Sequence, residues 1–290
     1  MSNSENKLLE EEDYWDEIIT SKTGVFDIKL KELWTHRDLI FLFVRRDFVS
    51  VYKQTILGPL WYLFQPLITT ITFVVIFGNI AKISTDGMPQ VLFYMSGLLL
   101  WNYFADCLNK TSNTFINNVN LFGKVYFPRL SVPISIIISN LLTLAIQFGL
   151  LMVFFIYYYQ KGAIIHPNIY LLLIPVLIII VALLGMGIGI LISSLTTKYR
   201  DLKFLVSFGI QLMMYATPVI YPLSTIPEKY KIFILANPMT SIIETFRYAM
   251  LGSGNFNLFH LLYSLVVTIT VFISGIILFN RIEKNFMDTI

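Results

Sequence analysis

Six apolar stretches, near residues 59–81, 91–108, 130–158, 170–194, 203–222 and 258–280, constrain the fold more than any other feature of the chain. A helix rises 1.5 Å per residue, so about 20 apolar residues cross the roughly 30 Å of hydrocarbon in a bilayer. Charged residues are 13% of the 290, about half the share usual in a soluble domain. The expected fold is an all-α integral membrane protein with six transmembrane helices. The stretch at 91–108 is the weakest, because Asp106 sits near its end and polar residues follow. The stretch at 130–158 is long enough to tilt or to project from the membrane.

The cationic residues outside these stretches set the expected orientation. Eight Lys and Arg precede residue 56. Three follow the second stretch (Lys110, Lys124, Arg129), three follow the fourth (Lys198, Arg200, Lys203), and Arg281 and Lys284 follow the sixth. Lys82, Lys161, Lys229, Lys231 and Arg247 fall on the other side. Sixteen against five places both termini in the cytoplasm by the positive-inside rule.

Three segments lie outside the spans. Residues 1–27 are acidic, with Glu10, Glu11, Glu12, Asp13, Asp16 and Glu17, where a secretory signal needs a basic start and an apolar run. No cleaved signal is expected. Residues 28–55 interleave Leu33, Trp34, Ile40, Phe41, Phe43, Val44 and Phe48 with Arg37, Arg45, Arg46 and Lys53. That mixture suits an amphipathic helix lying in the headgroup region, and 56–290 then forms the membrane domain. Residues 223–257 are too polar to span and too apolar for a free loop. Pro222, Pro227 and Pro238 punctuate them, so two short helices dipping back into the outer leaflet are expected. Pro218 and Pro222 end or kink the fifth helix.

Several chemistries are missing. No Gly-x-x-x-x-Gly-Lys-Ser/Thr phosphate loop is present, nor a metalloprotease or esterase motif. Gly185, Gly187 and Gly189 fall inside an apolar helix, where small residues serve close helix packing. One cysteine, Cys107, and three scattered histidines, His36, His166 and His260, give no metal-ligand spacing. The net charge of +3 gives no reason to expect a nucleic acid. The spans carry almost no ionisable residue besides Asp106, which disfavours a proton relay. Active transport by this chain needs energy from another subunit.

Three segments together resemble the membrane subunits of type-2 ABC exporters, the permeases of bacterial polysaccharide and polyol-phosphate export. The first is RRDFVSVYKQTILGPLWYLFQPL from Arg45 to Leu67. The second is KVYFPRLSVP from Lys124 to Pro133. The third runs from Arg200 to Gly252 and contains YRDLKF, QLMMYATPVIYPLSTIPEKYK and NPMTSIIETFRYAMLG. They occur in the family's order and cover most of the chain from residue 30. The resemblance implies two copies of this permease in the bacterial cytoplasmic (inner) membrane, paired with two copies of a separate ABC ATPase. That partner binds ATP and Mg²⁺, and this chain carries no cofactor and no enzymatic site. The six helices of each copy enclose a channel for a lipid-linked polysaccharide, of O-antigen, capsule or teichoic-acid type.

Within that expectation, Trp61, Tyr62, Phe64, Tyr215 and Tyr221 are candidates to line the channel, since aromatic faces slide along the C–H faces of sugar rings. The alternative for each is the interfacial aromatic belt. Arg37, Arg45, Arg46 and Lys53 are candidates for the lipid diphosphate or for anionic headgroups of the membrane lipids. Leu121, Phe122, Gly123, Lys124, Tyr126 and Phe127 are expected to form an apolar knob that couples to the ATPase. Glu244 and Arg247, three apart on a short helix, can pair as an outer gate or as a structural bridge. Two other readings stay open: an exporter of the same fold for small molecules or drugs, and a membrane-embedded enzyme of lipid-linked glycan synthesis.

Overall fold

The spans are predominantly apolar, and in hydrocarbon the backbone must satisfy its own hydrogen bonds, so these stretches form helices. The computed structural model describes residues 30–53, 56–125, 127–196 and 201–285; the acidic stretch 1–27 lies outside them. Helices α1 (Leu30–Thr35) and α2 (Arg37–Tyr52) precede α3 (Trp61–Phe73), which runs on through a wider π-helical segment, Val74–Ile80. Then follow α4 (Gln90–Ser112), the short α5 (Thr114–Asn117) and α6 (Val119–Phe122), and the long α7 (Ser131–Gln160). The chain finishes with α8 (Ile174–Thr196), α9 (Leu202–Tyr215), α10 (Glu228–Leu235), α11 (Pro238–Leu251) and α12 (Leu258–Asn285). Among the described residues there is no strand.

Five helical stretches are long and apolar enough to cross a bilayer: Trp61–Ile80, Gln90–Ser112, Ser131–Gln160, Ile169–Thr196 and Leu258–Ile282. The fifth stretch of the sequence, 203–222, is helical only from Leu202 to Tyr215. Its 14 residues rise about 21 Å, short of the hydrocarbon thickness. Helix α9 stops three residues before Pro218, whose missing N–H and ring cannot continue it.

Helix α4 is the centre of the bundle. It packs against α3, α7, α8, α9 and α11, and 78% of its apolar window is buried, against 17% for the span that α3 begins. Its mean hydropathy of 1.3 is the lowest of the five, while α8 reaches 3.1. A helix surrounded by protein need not dissolve in lipid, so α4 carries Ser96, Asn102, Asp106, Lys110, Thr111 and Ser112. That is why it reads as the weakest span.

The glycine run of α8 serves two interfaces. A Cβ at Gly185 would lie 2.9 Å from Cys107 Cβ and one at Gly189 2.9 Å from the Leu108 carbonyl, both on α4. A Cβ at Gly187, two residues round the helix, would lie 2.8 Å from Phe272 Cα on α12, and one at Gly275 would meet the Gly187 carbonyl at 2.7 Å. Backbone therefore touches backbone on both sides of α8.

Contacts between loops define two ends of the bundle. At one end α2 packs on the start of α7, and Leu33, Phe43, Phe115, Phe122, Phe127 and Phe279 share a core. At the other, Ser224 donates to Asp86, and the His166 amide donates to the Leu251 carbonyl. The linkers after α3, α7, α9 and α11 all meet there.

Gly187→Ala should cost about 1–3 kcal/mol, because two helix backbones must separate. Gly149→Ala, where nothing lies within 4 Å of the new Cβ, should be neutral or stabilising by up to about 1 kcal/mol through helix propensity. Melting of the two purified variants, followed by tryptophan fluorescence, checks the contrast.

Candidate functional site

The expected site residues fall at the two ends just defined. At the first end, α2 buries Ile40, Phe43 and Val44 and exposes Phe41 and Leu42 beside Arg45 and Arg46. Trp34 and Arg37 are also exposed, with the guanidinium 5.6 Å from the indole centroid. Arg46 is engaged by its neighbour Asp47 at 2.8 Å and lies over the Phe43 ring at 4.9 Å. Arg45 and Lys53 are exposed. Basic heads and large apolar groups share one outer face, the pattern of a helix lying at a lipid surface.

The aromatic candidates do not act alike. Trp61 and Phe64, one turn apart at the start of α3, are both open to the outside of the chain. Tyr62 instead stacks on Phe48 of α2, with centroids 5.8 Å apart, and ties the two helices. Tyr215 is half exposed at the far end of α9, and the Tyr221 hydroxyl donates to its carbonyl at 2.8 Å. The five aromatics thus divide between opposite ends of the bundle.

The apolar knob expected at 121–127 needs correction. Phe122 and Phe127 are buried, 5.6 Å apart, and Phe122 also meets Phe115 at 5.9 Å and Arg129 at 5.5 Å. Rings of that size find a better partner in the core under α7 than in water. Leu121 is half-buried; Gly123, Lys124 and Val125 form the exposed tip. Tyr126 lies outside the described residues.

Glu244 and Arg247 sit at the second end and are almost wholly buried, 3.6 Å apart. The guanidinium donates to the carbonyls of Phe93 (3.1 Å), Pro218 (2.5 Å) and Val219 (2.8 Å), and lies 3.7 Å from the Phe93 centroid. A longer contact of 3.4 Å reaches the Ser96 hydroxyl. Gly97 makes the room, since a Cβ there would fall 2.5 Å from Arg247 Nη2. Glu244 accepts from the Asn255 amide at 3.2 Å. Burial pushes the Glu244 carboxyl up and Arg247 draws it back. Burial pulls the Arg247 guanidinium down to about 10, partly offset by Glu244, which leaves it charged at neutral pH.

One side chain therefore fastens α11 to α4 and to the irregular backbone that follows α9. A second tie repeats the join: Asn237, the N-cap of α11, donates to Thr217 at 2.7 Å. Sequence reasoning found the Glu244/Arg247 pair but missed the carbonyls, whose only trace was Gly97 in the middle of a helix. It also missed a polar link inside the bundle, where Lys110 donates to Asn140 at 2.6 Å and Asn140 contacts the Cys107 sulfur at 3.6 Å.

Arg247→Met should cost about 3–5 kcal/mol, the usual penalty for leaving a buried charge without its partner, and folded protein should fail to accumulate. Glu244→Gln should cost less, because the guanidinium keeps its carbonyls. The monodisperse fraction on fluorescence-detected size exclusion distinguishes the two.

Comparisons with known proteins identify the family of this chain. Residues 38–251, from α2 to the end of α11, match the model of the ABC-2 type transporter family. The O-antigen export system permease protein RfbA of Klebsiella pneumoniae is 29% identical over 253 residues, which cover 87% of this chain and 94% of that protein. RfbA of Myxococcus xanthus is 27% identical over 220 residues, 75% of this chain and 82% of the relative. The polysialic acid transport protein KpsM of Escherichia coli is 22% identical over 245 residues, 84% and 93% of the two chains. The matched region contains α2, the central α4, the glycine-packed α8 and the Arg247 ties, and the chain belongs to the ABC-2 type transporter family.

Proposed function

We propose that this chain is the channel-forming permease subunit of a bacterial polysaccharide exporter in the cytoplasmic membrane, moved by a separate ABC ATPase that binds ATP and Mg²⁺. The observation that carries the reading is the unpartnered pair α3 and α9. Both flank α4, and both are mostly bare: Trp61, Phe64, Ile68 and Ile71 on α3, and Phe204, Leu205, Phe208, Leu212 and Tyr215 on α9. Gln65, Asn79, Ser207 and Gln211 are exposed on the same segments. Amides and hydroxyls facing lipid are costly. A second copy laid against these helices covers them and encloses a path with polar groups and aromatic faces. The names of the relatives above support polysaccharide as the cargo.

Orientation follows from charge. Arg37, Arg45, Arg46, Lys53, Lys110, Lys124, Arg129, Lys203 and Arg281 belong to the α2 end, and Lys82, Lys161, Lys229, Lys231 and Arg247 to the other. The positive-inside rule puts the α2 end, with both termini, in the cytoplasm. In this reading α9 and residues 216–222 make the fifth of six crossings, and α10 and α11 form a re-entrant hairpin. The carbonyls that Arg247 holds support it, because non-helical backbone at membrane depth needs protein partners. The same bonds hold the outer closure of the channel. On the cytoplasmic face, Arg45 and its neighbours meet the diphosphate of the lipid carrier, and Lys124–Val125 with Leu121 meets the ATPase.

Deleting the chain should leave undecorated cells that accumulate lipid-linked polymer in the cytoplasm, seen by glycan blotting of membrane and surface fractions. A surface coat of normal amount rules the reading out. Lys124→Glu with Val125→Ser should reduce recovery of the ATPase in affinity purification while the permease stays folded, whereas Phe122→Ala should lower the yield of the permease itself.

A further inference from the structure

At the centre of the end that carries α10 and α11, three linkers and three helices surround an open cavity of about 160 Å³. Its walls mix the apolar Leu223 and Leu235 with polar groups: Asp86 from the linker after α3, Ser224 after α9, Lys231 on α10, Glu244 on α11, Asn255 after it and His260 on α12. Much of this polarity is unspent. Among the described residues no hydrogen bond engages the side chains of Asn255 and His260. Glu244 is nearly buried at the cavity wall, and its Oε1 has no hydrogen-bond donor, Arg247 being 3.6 Å away, too far for one. Asp86 is exposed, its carboxylate accepts only from Ser224 at 2.8 Å among the described residues, and it sits at a left-handed φ of 54° that turns the linker.

Size and charge narrow the ligand. A cavity of about 150 Å³ holds one six-membered ring. An anion is disfavoured by two carboxylates and by a lysine already paired with Glu228. Among the described residues no cluster of His, Cys, Asp and Glu can hold a metal ion. What remains is a neutral ring that both donates and accepts hydrogen bonds at many points, to match carboxylates, an amide and an imidazole. We infer that this cavity is a subsite for one sugar ring of the exported polysaccharide, gripped through its hydroxyls at the outer mouth of the channel; the inference rests on the export reading above. The grip favours outward movement, because a ring held at the exit cannot slide back while the ATPase resets.

The test uses the full permease with its ATPase in lipid nanodiscs. Cys107 is fully buried, so Ser224→Cys places one accessible thiol at the rim, and Lys231→Cys serves where that variant does not fold. The probe is a fluorescent maleimide, and the competitor is the saccharide released by mild acid from the same cells' exported polymer. Saccharide at about three times its dissociation constant should slow labelling about fourfold, since only the empty site reacts. Polyethylene glycol at equal mass should leave the rate unchanged, and Asp86→Asn with Asn255→Ala should abolish the protection. Labelling that ignores the saccharide, slows equally in polyethylene glycol or stays protected in the double variant overturns the subsite. Those results leave the export reading standing, which fails separately if deletion of the chain leaves the surface coat intact.

Discussion

A guanidinium with no water around it must find acceptors or lose its place in the fold, and Arg247 finds three backbone carbonyls, a hydroxyl, an aromatic face and a carboxylate. The end of the bundle that carries α10 and α11 is organised by that demand. The acceptors come from α4 and from the backbone just past α9, and the arginine brings both to α11 at one point. The backbone at Pro218 and Val219 is not helical, so its carbonyls need a donor as much as the arginine needs acceptors. Each side makes the other affordable, and replacing either leaves the remaining one buried and unmet.

Burial on every side frees α4 from the requirement that shapes its neighbours. Lipid-facing helices must be apolar along their length, whereas α4 answers only to protein. It can therefore hold Ser96 and Gly97 for the arginine, Cys107 and Thr111 for the glycines of α8, and Lys110 for Asn140. The Arg247 network and the glycine seam are thus built on one helix. A shift of α4 relative to α8 is resisted by backbone contacts, and a shift relative to α11 by the arginine.

The sequence exposed what depends on composition over a long window. Five of the six apolar stretches became helices of spanning length, and the expected role of Gly185, Gly187 and Gly189 in close packing is visible in their contacts. It concealed what depends on pairing across the fold. The exposed apolar tip at 121–127 was a reasonable expectation for aromatics in a polar connection, yet Phe122 and Phe127 turn inward because α7 and α12 present Val132 and Phe279 beneath them. Tyr62 looks like its neighbours Trp61 and Phe64 in the sequence, but its turn of the helix faces Phe48. Arg247 carries a clear partner at i−3 and gives no hint of carbonyls 28, 29 and 154 residues earlier in the chain. Short-range chemistry was legible; the identity of distant partners was not.

The distribution of rigidity bears on how a chain with no phosphate-loop motif can be driven. The seam between α4 and α8, the join of α8 to α12 and the Arg247 ties make one body of α4, α8, α11 and α12. Helix α9 touches that body at α4 and α8, α3 touches it at α4 and rests also on α7 and, through Tyr62, on α2, and both keep a broad bare face; α3 also contains Pro66 and runs into a π-helical segment, two features that loosen a helix. Movement needs least energy where the fewest contacts must break. A push received at the α2 end, where α2 rests on α7 and Tyr62 stacks on Phe48, reaches α3 directly. The helices best placed to move are therefore those whose aromatic faces line the proposed path, while the helices that must keep the membrane sealed are the ones locked together.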